Sequence, residues 1–222
     1  MTDDGGIAVV GTGTGVGKTV VTAGLVGVLR EDGVDARAVK PCQTGHPPDD
    51  DAAFVATACG TEAAATCLAR LEPPLAPAVA AEQAGADLSY QRLRDGCERQ
   101  LAAAETGLVE GIGGLRVPLA DGHEVLDLVA DLDVSAVVVA RSGLGTLNHT
   151  TLTVDALRRQ NVPVRGIVLN RYGGASTAER TNPAVLERMT DLSVHTLPET
   201  DLTDPCAAVD AVADHLPRSL VR

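Results

Sequence analysis

The sequence predicts an α/β fold, with a mostly parallel central sheet and helices on both faces. Three observations lead there. Short apolar runs alternate with stretches of helical periodicity along nearly the whole chain, as strand–helix–strand units require. The first of these units is joined by a glycine-rich turn that ends in Gly-Lys-Thr. The length, 222 residues, suits one such domain over 1–222.

The chain opens on an apolar strand, Ile7–Val10, followed by Gly11-Thr12-Gly13-Thr14-Gly15-Val16-Gly17-Lys18-Thr19 and a helix. Such a loop turns successive backbone N–H groups towards an anion, and the helix N-terminus adds its dipole. The domain is therefore read as P-loop NTPase-like. Gly15, Val16, Gly17, Lys18, Thr19 and Val20 form the expected nucleotide-binding run, with Lys18 on the β- and γ-phosphates and the Thr19 hydroxyl on Mg²⁺. The glycine usual five residues before Gly17 is Thr12 here, so the loop is a variant.

The first helix runs to Glu31 on the stripe Val21, Leu25, Val28 and Leu29, and Gly33 ends it. Asp35–Val39 reads as a second strand that delivers Lys40, Pro41 and Thr44 to the carboxyl rim, where parallel sheets bind ligands. A helix begins near Asp51, behind three adjacent aspartates; these can cap it or supply a metal ligand. Residues 61–88 are Ala-rich and read as a loop with short helices. Ser89 caps a helix to about Glu105.

A third strand ends at Glu110 and meets Gly111-Ile112-Gly113-Gly114, a carboxylate beside glycines that permit close approach of a phosphate or metal. Ser135–Ala140 is a fourth strand. It leads through Arg141–Asn148, a second glycine-rich turn, into a helix to about Gln160. Val164–Leu169 delivers Asn170. Thr181–Thr190 is helical, Val194–Leu197 is the sixth strand, and Pro205–Leu216 is the terminal helix.

Composition narrows the function. Net charge is −12, which argues against nucleic acid or an acidic membrane surface as partner. No apolar run reaches the roughly 18 residues of a membrane span, and no signal peptide is recognised at the start. Five scattered cysteines without C-x-x-C pairing suit a reducing cytoplasm. Aromatics are confined to Phe54, Tyr90 and Tyr172, so the core must be aliphatic. All but two of the 18 basic residues are Arg; the exceptions are Lys18 and Lys40. Lys40 is thereby a candidate for chemistry that needs a compact ammonium with three donors. The acidic, Lys-poor composition also suits a high-salt environment.

With these motifs in place, the chain resembles the dethiobiotin synthase family over nearly its whole length. The resemblance rests on Gly-Thr-x-Thr-x-Val-Gly-Lys-Thr at 11–19, Lys-Pro-x-x-Thr-Gly at 40–45 and Val-Glu-Gly-x-Gly-Gly at 109–114. Gly-x-Leu-Asn-His at 145–149, the strand reaching Asn170, and Leu-Pro-Glu at 197–199 complete it. It implies an ATP- and Mg²⁺-dependent enzyme that joins CO₂ to 7,8-diaminopelargonic acid and closes a cyclic urea, giving dethiobiotin, ADP and phosphate.

The resemblance also implies roles. Lys40 and Lys18 are catalytic, and Thr19, Asp51 and Glu110 hold Mg²⁺. Gly111, Ile112 and Gly113 lie beside the nucleotide. Asn170 and Arg171 meet the adenine edge, with Pro198, Glu199 and Thr200 as its wall. Thr14 and Thr44 hydrogen-bond the carbamate and diamine. Gly145 and Asn148 of a second subunit in a homodimer receive the substrate's carboxylate.

Two other enzyme or switch readings are weaker. A cobyrinic acid amide synthase would carry a glutaminase domain, for which the chain is too short. A partition or division-site ATPase would carry a signature lysine where this sequence has Gly13, and usually a basic patch or membrane-binding tail. A nonenzymatic nucleotide-binding remnant would have no need of Lys40.

Overall fold

The computed structural model describes residues 6–221. Strand β1 (Ile7–Gly11) runs into helix α1 (Lys18–Glu31), followed by β2 (Ala36–Lys40), a two-residue β3 (Gln43–Thr44) and α2 (Asp51–Ala58). Next come β4 (Ala65–Cys67), β5 (Arg70–Leu71), α3 (Pro77–Ala84), α4 (Tyr90–Ala102) and β6 (Thr106–Glu110). The chain continues through β7 (Pro118–Ala120), β8 (His123–Glu124), α5 (Val125–Asp131), β9 (Ser135–Arg141) and α6 (Thr146–Arg159). It closes with β10 (Val164–Asn170), α7 (Thr177–Thr190), β11 (Val194–Thr196) and α8 (Ala207–His215).

Seven strands form one parallel sheet in the order β11-β10-β9-β1-β6-β2-β4. The expected α/β architecture is therefore present. The period-two alternation of β1 sorts its side chains between the two faces. Ile7 and Val9 pack with α1, α2 and α8, while Ala8 and Val10 pack with α3 to α7. Both faces are covered, which is why the strands read as continuous apolar runs.

Six strands were expected, and the sheet has seven. The extra one, β4, lies in the Ala-rich segment, where Ala65-Thr66-Cys67 pairs with Ala38-Val39-Lys40. Three residues of ordinary propensity carry no period of their own; the exposed edge of β2 makes them a strand. The same segment supplies β5, paired with β3. Helix α7 begins four residues earlier than expected, because Ser176 and Glu179 form a reciprocal capping box.

Two glycines of α1 set the packing of the terminal helix. A β-carbon at Gly24 would lie 2.2 Å from Val212, and one at Gly27 2.4 Å from Val209. Three residues apart, they form a bare strip on which α8 lies.

Candidate active site

Strand order brings the chemistry together. β1 sits between β6 and β9, and β6 sits between β1 and β2, so the loop after β1 faces the ends of its neighbours. Val9 pairs with Glu110 across β1–β6, and Val39 with Val109 across β2–β6. Lys18, Lys40 and Glu110 thus converge from distant parts of the chain on one carboxyl rim.

The loop itself is shaped for an anion. Gly17 takes φ +101°, a left-handed conformation that favours glycine, and no side chain caps the start of α1. The first N–H groups of that helix are left for a ligand. Lys18 Nζ donates to the carbonyls of Gly13 at 3.2 Å and Gly113 at 2.9 Å, bracing the loop against the glycine turn after β6. Burial first, and then the charge of Lys40, brings the Lys18 ammonium down to about 8, against the pull of Glu110 and Asp51.

Lys40 lies at the centre of the cluster, 6% exposed. Its Nζ is 2.5 Å from Asp51 Oδ2 and 2.8 Å from Glu110 Oε1, and it donates to the Gly111 carbonyl at 3.2 Å. The Thr19 hydroxyl donates to the same Glu110 Oε1 at 2.8 Å. Burial disfavours the Lys40 charge, but the two carboxylates outweigh it and hold its pKa above the ordinary value. Asp51 is held below its usual range: burial opposes this, but the adjacent Lys40 wins. Burial above all pushes Glu110 up, against Lys40, with the Asp51 charge adding to the push.

The donor set fits a hard divalent cation. Two carboxylates and a hydroxyl converge, and one ammonium cannot neutralise two carboxylates. Of the three adjacent aspartates, only Asp51 is bonded to Lys40. Asp50 caps α2 by accepting from Ala53 N at 3.0 Å and is paired with Arg70 at 3.1 Å.

A cavity of about 920 Å³ opens over this cluster. Most of the expected residues line it: Thr14, Gly15, Gly17, Lys18, Thr19, Val20, Lys40, Thr44, Asp51, Glu110, Ile112, Gly113, Asn170, Arg171, Glu199 and Thr200. Val16, Gly111 and Pro198 support the wall through their carbonyls, which accept from Asn170, Lys40 and Thr200. Gly145 and Asn148 do not line the cavity. They lie exposed at the start of α6, next to Leu144, which is 94% exposed.

Asn170, expected at the adenine edge, lies buried beneath the phosphate loop with its amide donating to the Val16 carbonyl at 3.0 Å. Sequence reasoning missed Gln43. Its Oε1 accepts from Asp51 N at 3.2 Å and its Nε2 donates to the Thr44 carbonyl at 2.9 Å, so it joins the Lys40 strand end to the start of α2. Its place between Lys40 and Thr44 in the Lys-Pro-Cys-Gln-Thr run was the available signal. Phe54, Pro74, Leu75 and Leu202, also unassigned from sequence, add apolar surface to the cavity.

Comparison with known proteins agrees with this geometry. A family model described as an AAA domain matches residues 5–205. An ATP-dependent dethiobiotin synthetase BioD of Haloferax mediterranei is 63% identical over 210 residues, covering 95% of this chain and 90% of the relative. Those of Anaeromyxobacter sp. (strain K) and Aquifex aeolicus are 44% and 34% identical, covering 83% and 86% of this chain and 85% and 88% of the relatives. Among solved structures, the septum site-determining protein MinD of Pyrococcus horikoshii, complexed with Mg-ADP, aligns with TM-score 0.55 at 17% identity, over 92% of this chain and 85% of that one. The cell division ATPase MinD of Pyrococcus furiosus aligns with TM-score 0.53 at 16% identity, over 95% and 99%. At these identities the likeness is one of fold. These three relatives, matched along most of their length, are of one kind, and the chain belongs to the ATP-dependent dethiobiotin synthetase family.

Proposed function

We propose that this chain, as one domain over residues 1–222, converts 7,8-diaminopelargonic acid, CO₂ and ATP into dethiobiotin, ADP and phosphate. The observation that carries the reading is the meeting of Lys40, Asp51, Glu110 and Thr19 beside the phosphate loop, in a chain of this family. One amine of the substrate takes up CO₂ as a carbamate and gives up a proton. A carbamate oxygen then attacks the γ-phosphorus of ATP, and the bond to the β–γ bridging oxygen breaks, releasing ADP. The second amine attacks the carbonyl of the resulting carbamic–phosphoric anhydride, closes the cyclic urea and expels phosphate.

Phosphoryl transfer needs position and charge more than covalent help from the protein. Lys18 and the amides of Gly15 to Val20 would hold the polyphosphate, with Gly111, Ile112 and Gly113 opposite. Lys40 would stabilise the carbamate and the transferring phosphoryl group, acting on charge that develops at the reacting atoms. Thr14 and Thr44 would orient carbamate and diamine. Asn170 and Arg171 would meet the base, walled by Pro198, Glu199 and Thr200. Thr19, Asp51 and Glu110 would hold Mg²⁺, which when bound neutralises charge on the β- and γ-phosphates.

The reading includes a homodimer in which Gly145 and Asn148 of one subunit take the carboxylate tail of substrate bound to the other. Support comes from the exposure of that turn, Leu144 included, and of Leu152 on α6. Location in the cytoplasm is supported by the thiols of Cys42, Cys59, Cys67, Cys97 and Cys206, all unpaired. None of the described helices is long and apolar enough to cross a membrane.

The test is phosphate release from Mg·ATP with bicarbonate at high salt, with and without 7,8-diaminopelargonic acid. Diamine-dependent release, with a product mass equal to the cyclic urea, is expected. Well-folded protein that releases no phosphate in response to the diamine would overturn the reading.

A further inference from the structure

We propose that Lys40 is the resident cation of the metal site: its ammonium bridges Asp51 and Glu110 until a divalent ion displaces it, and that exchange frees Lys40 for substrate. The inference rests on the function proposed above for what Lys40 then does.

The argument is one of hydrogen-bond capacity. A lysine ammonium has three donors and no acceptor. Asp51, Glu110 and the Gly111 carbonyl take all three, at 2.5, 2.8 and 3.2 Å. In this state no donor is left for a carbamate or a phosphoryl oxygen, so Lys40 must release at least one partner before it can act. Two of those partners are the carboxylates of the metal site. The third member of that site, Thr19, donates to the same Glu110 oxygen that Lys40 holds.

A divalent ion and the ammonium therefore compete for the same oxygens. The ion carries the charge that balances both carboxylates, whereas the ammonium balances one. Once the ion is bound, like charges at contact distance drive the ammonium away. The four-carbon stem of lysine can swing aside while keeping its charge, and a planar guanidinium held by the same oxygens lacks that freedom of aim. This accounts for lysine at position 40 in a chain where all but two of the basic residues are Arg. Lys18 differs, since the side-chain bonds it makes go to backbone carbonyls of Gly13 and Gly113.

The two lysines make the test direct. Protein labelled with ¹⁵N-lysine has two side-chain ammonium signals, and Lys40→Met assigns one of them. Saturation with MgCl₂ and ADP should shift the Lys40 signal and speed its exchange with solvent. In parallel, Mn²⁺ binding without nucleotide, read by electron paramagnetic resonance, should tighten at least about tenfold in Lys40→Met. Lys18→Met, which removes a nearby charge that does not touch the carboxylates, should change it less than about threefold.

An unmoved Lys40 signal at metal saturation, or equal Mn²⁺ affinity in wild type and Lys40→Met, would overturn the exchange. If Lys40→Met fails to fold, the wild-type spectrum decides, with the Lys18 signal assigned by Lys18→Met. Neither measurement contains the diamine, so the exchange can stand where diamine-dependent phosphate release fails, and the reverse.

Discussion

A β-carbon on Gly17 would stand 1.8 Å from the side-chain nitrogen of Asn170, the nitrogen that donates to the Val16 carbonyl. The last turn of the phosphate loop is thus built around the end of β10, and the two positions constrain each other. Gly17→Ala meets both this clash and the strain of φ +101°. It should weaken ATP binding by about 2 kcal/mol or more, roughly thirtyfold. Asn170→Ala leaves the Val16 carbonyl short of its partner and should cost about 1–3 kcal/mol in loop stability. The double variant should bind ATP better than Gly17→Ala alone, because the clash is gone and only the backbone strain and the unpaired Val16 carbonyl remain. Calorimetric titration of the three variants checks this; strict additivity would refute the coupling.

On the role proposed for Lys40, at the transferring group and not in nucleotide capture, Lys40→Gln should lower turnover by about 10²–10³ or more while ATP affinity stays within a few-fold. The split is read from single-turnover phosphate release against equilibrium ATP binding. Retained turnover would remove Lys40 from the chemistry.

Thr19→Ala and Glu110→Ala should each raise the Mg²⁺ concentration needed for half-maximal activity by about tenfold or more. Glu110→Ala has a second effect, because it also takes one carboxylate from Lys40. Its thermal midpoint should therefore fall relative to Thr19→Ala, because the buried Lys40 ammonium loses a partner. Mg²⁺ curves that overlay the wild type would take both residues out of the metal site.

Alkaline pH should destabilise the fold through buried thiols. Burial first, with the charge of Glu98 adding to it, pushes the Cys97 thiol up from 9.0 to about 12. Above pH 9 the unfolded chain gives up that proton while the folded chain keeps it. The folded state then binds more protons, and stability falls as pH rises. The contribution is fully present below pH 9 and is lost at about 1 kcal/mol per pH unit towards 12. Urea midpoints measured from pH 8 to 11 should fall less steeply in Cys97→Ala than in wild type. Parallel slopes would show that the thiol does not contribute.

The sequence by itself determined the local facts: which segments are buried strands, where the loop turns into α1, and that Lys18, Thr19, Lys40 and Glu110 stand at strand or helix ends. These are legible because apolar period, glycine and capping residues act over a few neighbouring positions. It did not determine which of Asp49, Asp50 and Asp51 faces the cluster. That choice follows from Asp50 being taken up by the α2 cap and Arg70, and from Gln43 holding Asp51 beside Lys40. Nor did it show β4, which is a strand only because β2 offers an open edge. The meeting of Thr19 with Glu110, 91 residues apart, and of Lys40 with both carboxylates, was decided by the tertiary structure. Strand order is a property of the whole sheet: β6 enters between β1 and β2, and only that insertion places its terminal carboxylate against the loop.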